Sequence, residues 1–344
     1  MIFIEEPEAH LHPQMQEVFI RQLDEIVSEF EQTFNEGRVW PVQFVISTHS
    51  AHIANEADFS KVRYFLSKIP GTTQIKDLGA EFSADDRQED KEFLHKYLTL
   101  TKCDLYFADK AILIEGATER IILPEIIKKV DETEGTSLRS NYLSVVEVGG
   151  AYAHHFYKFI DFLELKTVII TDLDSVRKDE SGRRVTYPGC PVSQGSYSSN
   201  TGLNNWFNYN EGERPNLDDL KNKTDIEKTI GFRRIAYQVP ELEREACARS
   251  FEDAFILANR ALFDGLQGDN EADIEACAYD IAELIGKGSK ANFAIKYSID
   301  ETEWNVPKYI ADGLVWLNNN TLPEVTSPVS EAEAIEVAEE PYHV

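Results

Sequence analysis

The chain has 344 residues, 42% hydrophobic and 28% charged, the proportions of an ordinary globular protein of two or three domains. No run approaches the ~18 consecutive apolar residues of a membrane span, so a membrane-spanning protein, a collagen-like fibre and a fully disordered chain are excluded. The 34 basic and 61 acidic residues leave a net charge of −27, which argues against a nucleic-acid partner because duplex phosphates repel a negative field, unless some carboxylates are metal ligands. Cys103, Cys190, Cys247 and Cys277 form no CxxC pair and no zinc-type cluster with histidine, which points to free thiols in a reducing cytoplasm. The N-terminal residues lack the basic-then-apolar order of a secretory signal.

In chain order, residues 1–4 read as a short buried strand running into Glu5, Glu6 and Pro7. From 13 to 34, apolar Met15, Val18, Phe19, Leu23, Ile26, Val27, Phe30 and Phe34 recur at helical spacing, with Pro13 suited to the first turn. Residues 42–47 form a β-branched run ending in Thr48, His49 and Ser50, and 62–66 with 73–75 read as a hairpin around Pro70 and Gly71. A polar stretch over 76–90 and a helix over 91–100 lead to a second unit. There, strand 111–115, helix 118–130, strand 142–148 ending in Gly149 and Gly150, a helix through Leu163 and strand 167–171 imply a parallel sheet with crossover helices. Residues 176–228 read as a long exposed insertion. Strand 233–239 is followed by helices over 242–261, 272–285, 290–297 and 307–317, and the acidic segment beyond Pro323 reads as a disordered tail.

Four carboxylates fall at the C-terminal ends of these strands, the edge where open α/β sheets bind ligands. Glu115 ends the unit's first strand and Glu119 lies one helical turn on. Asp172 and Asp174 end its third strand two residues apart, and i and i+2 of an extended segment share a face. Crowded carboxylates repel unless protonated or bridged by cations, and oxygen ligands without Cys or His select Mg²⁺ or Mn²⁺. Two such ions ~3.5–4 Å apart activate water and stabilise the leaving oxygen of a phosphodiester. An ExxxE pair alone is commonly a solvated helix face, and DxD alone recurs in phosphatases and glycosyltransferases. The joint order of strand–EGxxE–helix, strand–GG–helix and strand–DxD is more specific.

That order resembles the Toprim domain shared by topoisomerases, primases and a group of nucleases. Residues 2–13, IFIEEPEAHLHP, resemble the Walker B and D-loop of ABC-type ATPases, and Thr48–His49–Ser50 resembles their switch-histidine loop. The likeness implies Glu5 near Mg²⁺, Glu6 polarising the attacking water and His49 sensing the γ-phosphate. An ABC-type ATPase part followed by Toprim resembles the overcoming-lysogenization-defect (OLD) family of ATP-linked endonucleases. RSFEDAF at 249–255, SKANFA at 289–294 and VPKYI at 306–310 look like its downstream blocks. By that resemblance Glu252 is a fifth metal ligand, with Asp253 as rival, and Lys290 a cation stabilising the transition-state phosphate, with Lys287 as rival. One metal falls to Glu115 and Asp172, the other to Glu119, Asp174 and Glu252. His154 and His155 read as surface or capping residues.

No GxxxxGK[ST] occurs; the nearest fragment, at 286–289, lacks the earlier glycine and the hydroxyl directly after lysine. The chain is therefore expected not to hydrolyse ATP alone, with ATP used only in a longer protein of which this is the C-terminal part, and its first 75 residues are expected to lack sheet partners. The resemblance implies an α/β fold: a partial ABC-type ATPase over 1–75, a connector over 76–109, a Toprim nuclease domain with helical elements over 110–320 and a tail over 321–344. It implies a cytoplasmic endonuclease using two Mg²⁺ or Mn²⁺ ions on DNA, in phage defence or DNA repair, with a homodimer through the ATPase part and no membrane partner. Two other readings stand beside it: a DxD phosphatase with Asp172 as nucleophile, and a non-catalytic ATPase-fragment scaffold. Arg177, Lys178, Arg183, Arg184, Arg233, Arg234, Lys287 and Lys290 are expected near the acids, giving weak, salt-sensitive DNA affinity despite the −27.

Overall fold

The computed structural model describes residues 1–67, 72–83, 88–101, 104–149, 152–210 and 212–319. The hairpin turn at Pro70 and Gly71, Cys103, Gly150 and the tail from 321 lie outside them. Strand β1 (Ile2–Glu5) pairs in parallel with β2 (Phe44–Ser47), and α1 (Pro13–Thr33) makes the crossover. The two strands, expected without sheet partners, thus pair with each other, although Phe3 remains 73% exposed. Helix α2 (Ala51–Glu56) follows, capped by Ser50, whose Oγ accepts from the His52 N–H at 3.2 Å. The hairpin forms between β3 (Arg63–Leu66) and β4 (Gln74–Asp77), leading to α3 (Leu78–Glu81) and α4 (Gln88–Thr101).

The second unit is built on β5 (Lys110–Ile114), a run buried at every position, as a central parallel strand covered on both faces must be. Helix α5 (Ala117–Glu134), β6 (Leu143–Glu147), α6 (Tyr157–Leu163) and β7 (Lys166–Ile170) follow in βαβαβ order. After β8 (Ser175–Val176), β9 (Tyr197–Ser198), α7 (Thr201–Trp206) and α8 (Leu217–Lys221), the chain adds β10 (Thr229–Ile230) and β11 (Arg233–Ala236). The five-stranded sheet has the order β10–β11–β7–β5–β6, and only β10 is antiparallel.

Side chains alternate between the two faces. Ala111, Leu113, Ile169 and Ile235 join one core with Phe156, Phe159 and Ile160, and that core continues into Phe59, Leu78, Leu94 and Leu98 of the preceding segments. Ile112, Ile114, Val168 and Ile170 join the other, with Ile122, Ile126, Phe255 and Leu314. Lys76 ties the segments further, its Nζ donating to Glu164 at 2.6 Å and to the Phe162 carbonyl at 2.7 Å.

The structure corrects two expectations here. Residues 176–228 are not simply exposed: Val192, Leu203, Trp206, Leu217 and Leu220 are buried in the first core. The helix expected over 242–261 is only α9 (Phe251–Ala258), because the chain turns through 241–249 and the helix starts where Asp253 accepts from the Arg249 and Ser250 N–H groups, each at 2.6 Å. Helices α10 (Glu271–Lys287), α11 (Lys290–Ile295), which runs on into a π-turn, and α12 (Lys308–Asn318) complete the second layer. Gly313 lets α12 approach the sheet: a Cβ there would lie 3.0 Å from Val168 Cγ2 and 3.2 Å from the Ala236 Cβ.

Candidate active site

Glu115 stands directly beyond β5 and Asp172 two residues beyond β7, so the parallel register of the central strands sets both at one edge. Glu115 Oε1 accepts from the Asp172 N–H at 3.0 Å and from the Thr171 hydroxyl. Glu119 sits in the first turn of α5, where the helix dipole favours an acid. Asp174 is not extended as the i, i+2 argument supposed. Its φ of 49° is left-handed, unusual for a residue other than glycine. The turn is held by the Asp174 N–H donating to the Arg249 carbonyl at 3.0 Å, the Arg249 guanidinium 3.0 Å from Asp174 Oδ1, and the Ser199 N–H on the Asp174 carbonyl at 3.0 Å.

From the second layer, α9 contributes Glu252, 3% exposed, whose Oε1 lies 2.9 Å from Lys290 Nζ at the start of α11. The neighbouring Asp253 is occupied differently: both its oxygens accept from the backbone and side chain that open α9. Lys287, exposed at the end of α10, has no such acidic contact among the described residues.

The acids act on one another. Burial pushes the Glu119 carboxyl up to about 7, reinforced by the nearby charges of Glu252 and Glu115 and opposed by Lys290. Burial likewise raises Asp172 well above the usual carboxylate range, with Glu115, Glu119, Asp174 and Glu252 all adding to the effect. Asp174 is raised by burial against the pull of Arg249. For Lys290 burial works against the charge, but the Glu252 ion pair with Asp172 and Glu119 behind it more than offsets this and raises its pKa. Five carboxylates from β5, α5, β7 and α9 thus share one electrostatic environment.

The donor set is all hard oxygen, which fits a divalent cation such as Mg²⁺ or Mn²⁺ rather than zinc. Among the described residues, no three His, Cys, Asp or Glu side chains are arranged as a ready metal cage. Lys290 and Arg249 instead supply the countercharge to Glu252 and Asp174.

Three further residues stand at this edge, of which only Tyr309 falls in a block, VPKYI at 306–310, that the sequence singles out. Asn200, just before α7, donates through Nδ2 to Glu115 Oε1 at 3.0 Å and to the Asp172 carbonyl at 2.8 Å. Gln238, beyond β11, donates through Nε2 to Asp172 Oδ1 at 2.7 Å. The Tyr309 hydroxyl is buried at the start of α12, and burial, with the charges of Asp172 and Glu119, raises its pKa strongly.

The remaining basic residues divide. Arg233 and Arg234 open β11 and pair in register with Thr167 and Val168 at the start of β7, so they lie at the sheet edge opposite the acids. Arg233 makes a bidentate pair with Asp161 at 2.8 Å and Arg234 meets Asp225 at 2.6 Å; both are structural, contrary to expectation. Lys178 is exposed and pairs with Glu180 at 2.5 Å. In the N-terminal segment, Glu5 ends β1, Glu6 takes a left-handed φ of 41°, and His49 Nε2 lies 3.4 Å from Glu6 Oε1 while the His49 N–H donates to Glu8 at 2.6 Å. His155 pairs with Asp90 at 2.6 Å. Cys190, Cys247 and Cys277 are free thiols, and among the described residues no helix is long and apolar enough to cross a membrane.

An acid-edged parallel sheet of this order is a Toprim domain, here preceded by part of an ATPase domain. The family models agree. The Toprim domain of overcoming-lysogenization-defect-like proteins matches residues 106–174, and the AAA ATPase domain matches residues 1–54. Endonuclease GajA of Bacillus cereus (strain HuB5-5) is 29% identical over 92% of this chain and 48% of its own length. The Old nuclease of Escherichia phage P2 is 27% identical over 51% of this chain and 28% of its own length. The OLD nuclease of Thermus scotoductus (strain ATCC 700910 / SA-01) is 25% identical over 53% and 33%. The chain is thus similar to OLD nucleases across both of its parts, and it spans less than half the length of these relatives.

Proposed function

We propose that this chain carries the divalent-metal-dependent nuclease centre of an OLD-type endonuclease and cleaves DNA phosphodiesters. The observation that carries the reading is the group of Glu115, Glu119, Asp172, Asp174 and Glu252, two of them buried and three partly buried, on the ligand-binding edge of a Toprim sheet. Relatives named as endonucleases and OLD nucleases support it. All five acids would serve as metal ligands, Glu115 and Asp172 toward one ion and Glu119, Asp174 and Glu252 toward the other. Bound there, the two cations would activate a water and stabilise the leaving oxygen.

The protein's own groups have separable tasks. Lys290, half exposed beside Glu252, offers an ammonium to the phosphate as negative charge develops on it. Arg249 holds the left-handed Asp174 turn in place. The boundaries 1–75, 76–109 and 110–320 are proposed as ATPase part, connector and nuclease domain. Glu5, Glu6 and His49 would act on ATP, and a homodimer would form through that part, in a protein that also has the phosphate-binding loop.

The test is nicking of a supercoiled plasmid by the chain with Mg²⁺, Mn²⁺, Ca²⁺ or chelator. The reading expects activity with Mg²⁺ or Mn²⁺ and none with chelator. Inactivity with every divalent ion would favour a scaffold role instead.

A further inference from the structure

The two acids that end the central strands are each gripped by a buried side-chain amide, and the orientation of each amide is fixed from behind. Asn200 is 4% exposed. Its Oδ1 accepts from the Leu203 N–H at 3.1 Å as the N-cap of α7, so its Nδ2 must face the acids. There it meets Glu115 Oε1 at 3.0 Å, Thr171 Oγ1 at 2.9 Å and the Asp172 carbonyl at 2.8 Å. Gln238 is fully buried. Its Oε1 accepts from the Leu173 N–H at 2.6 Å, which turns its Nε2 onto Asp172 Oδ1 at 2.7 Å. Neither amide can rotate without leaving the N–H of fully buried Leu203 or Leu173 unpaired, which is costly.

We infer that Asn200 and Gln238 are positioning residues that orient the Glu115 and Asp172 carboxylates for cation binding, an assignment that rests on the nuclease reading above. The amides engage one oxygen of each acid, Oε1 of Glu115 and Oδ1 of Asp172, and so dedicate Oε2 and Oδ2 to the cation. They also supply neutral donors where a second pair of acids would only add repulsion. The segment between β7 and β11, which brings in Asn200, thereby acts as a brace for the catalytic edge rather than a surface decoration.

Asn200→Ser keeps a capping oxygen for α7 but is too short to reach Glu115. Gln238→Met keeps length and removes both amide functions. Orienting partners of metal ligands typically change metal affinity by roughly 10- to 100-fold. Calorimetric titration with Mn²⁺ is therefore expected to show binding weakened to that extent in each variant. Plasmid nicking should fall at limiting Mn²⁺, recover as Mn²⁺ is raised, and keep the wild-type KM for DNA. Far-UV circular dichroism and the unfolding midpoint report the fold of each variant separately. Wild-type Mn²⁺ affinity in either folded variant overturns the inference. Loss of fold in both, with no gain from Mn²⁺ in the unfolding midpoint, overturns it too and makes the amides purely structural. If instead the wild-type chain itself binds no Mn²⁺ and nicks nothing, the nuclease reading fails, and the inference with it.

Discussion

Replacing Glu119 by Gln should stabilise the metal-free protein while abolishing its activity. Glu119 is 9% exposed, and its carboxyl is pushed up to about 7 from an ordinary value of 4.5, first by burial and then by Glu252 and Glu115. The folded chain thus holds this proton more tightly than the unfolded chain between those two values. Stability contributed by the protonated group is fully present below pH 4.5 and is lost as pH rises through 7. At pH 8 the charged carboxylate costs the fold at most about 3 kcal/mol. Gln has the same shape and no charge, so E119Q should recover most of that, raising the unfolding midpoint by about 5 °C for a chain of this size. The assay is thermal unfolding of wild type and E119Q in chelator at pH 5 and pH 8. The two should nearly coincide at pH 5 and separate at pH 8. A variant no more stable than wild type at pH 8 would refute the argument that burial, with Glu252 and Glu115 beside it, opposes the charge on Glu119.

Other outcomes follow from particular contacts. Glu252→Gln should remove nicking with little loss of stability. Asp253→Ala should leave the Arg249 and Ser250 N–H groups unpaired and cost about 2 kcal/mol in chemical unfolding. Gly313→Val should force α12 off Val168 and Ala236 and destabilise by about 2 kcal/mol, measured the same way. Lys290→Met should lower the nicking rate while leaving the far-UV circular dichroism of the native chain unchanged.

The elements that position the acids are legible in the sequence because their signals are local. The apolar run of β5 followed at once by Glu115, and that of β7 followed by Asp172, mark strand ends without reference to anything distant. The bracing residues are not legible, since Asn200 and Gln238 meet their acids across 85 and 66 residues of chain, and nothing local distinguishes them from other surface-type amides. The polar composition of 176–228 concealed buried Trp206 and Leu220 for a related reason: few apolar residues suffice when each is fully enclosed. Arg233 and Arg234 misled because nearness along the chain to a catalytic strand says nothing about which end of it a residue occupies. Strand direction sends them to the far edge, onto Asp161 and Asp225. The helix at 242–261 was overextended because the Ser250–Asp253 start signal lies inside an otherwise helix-compatible run.

The central claim is that the carboxylates of Glu115 and Asp172 make the reaction possible. It is tested most directly by plasmid nicking in Mn²⁺ with Glu115→Gln and Asp172→Asn beside the wild-type chain. The account predicts nicking by wild type and none by either folded variant; nicking that survives either substitution would contradict it.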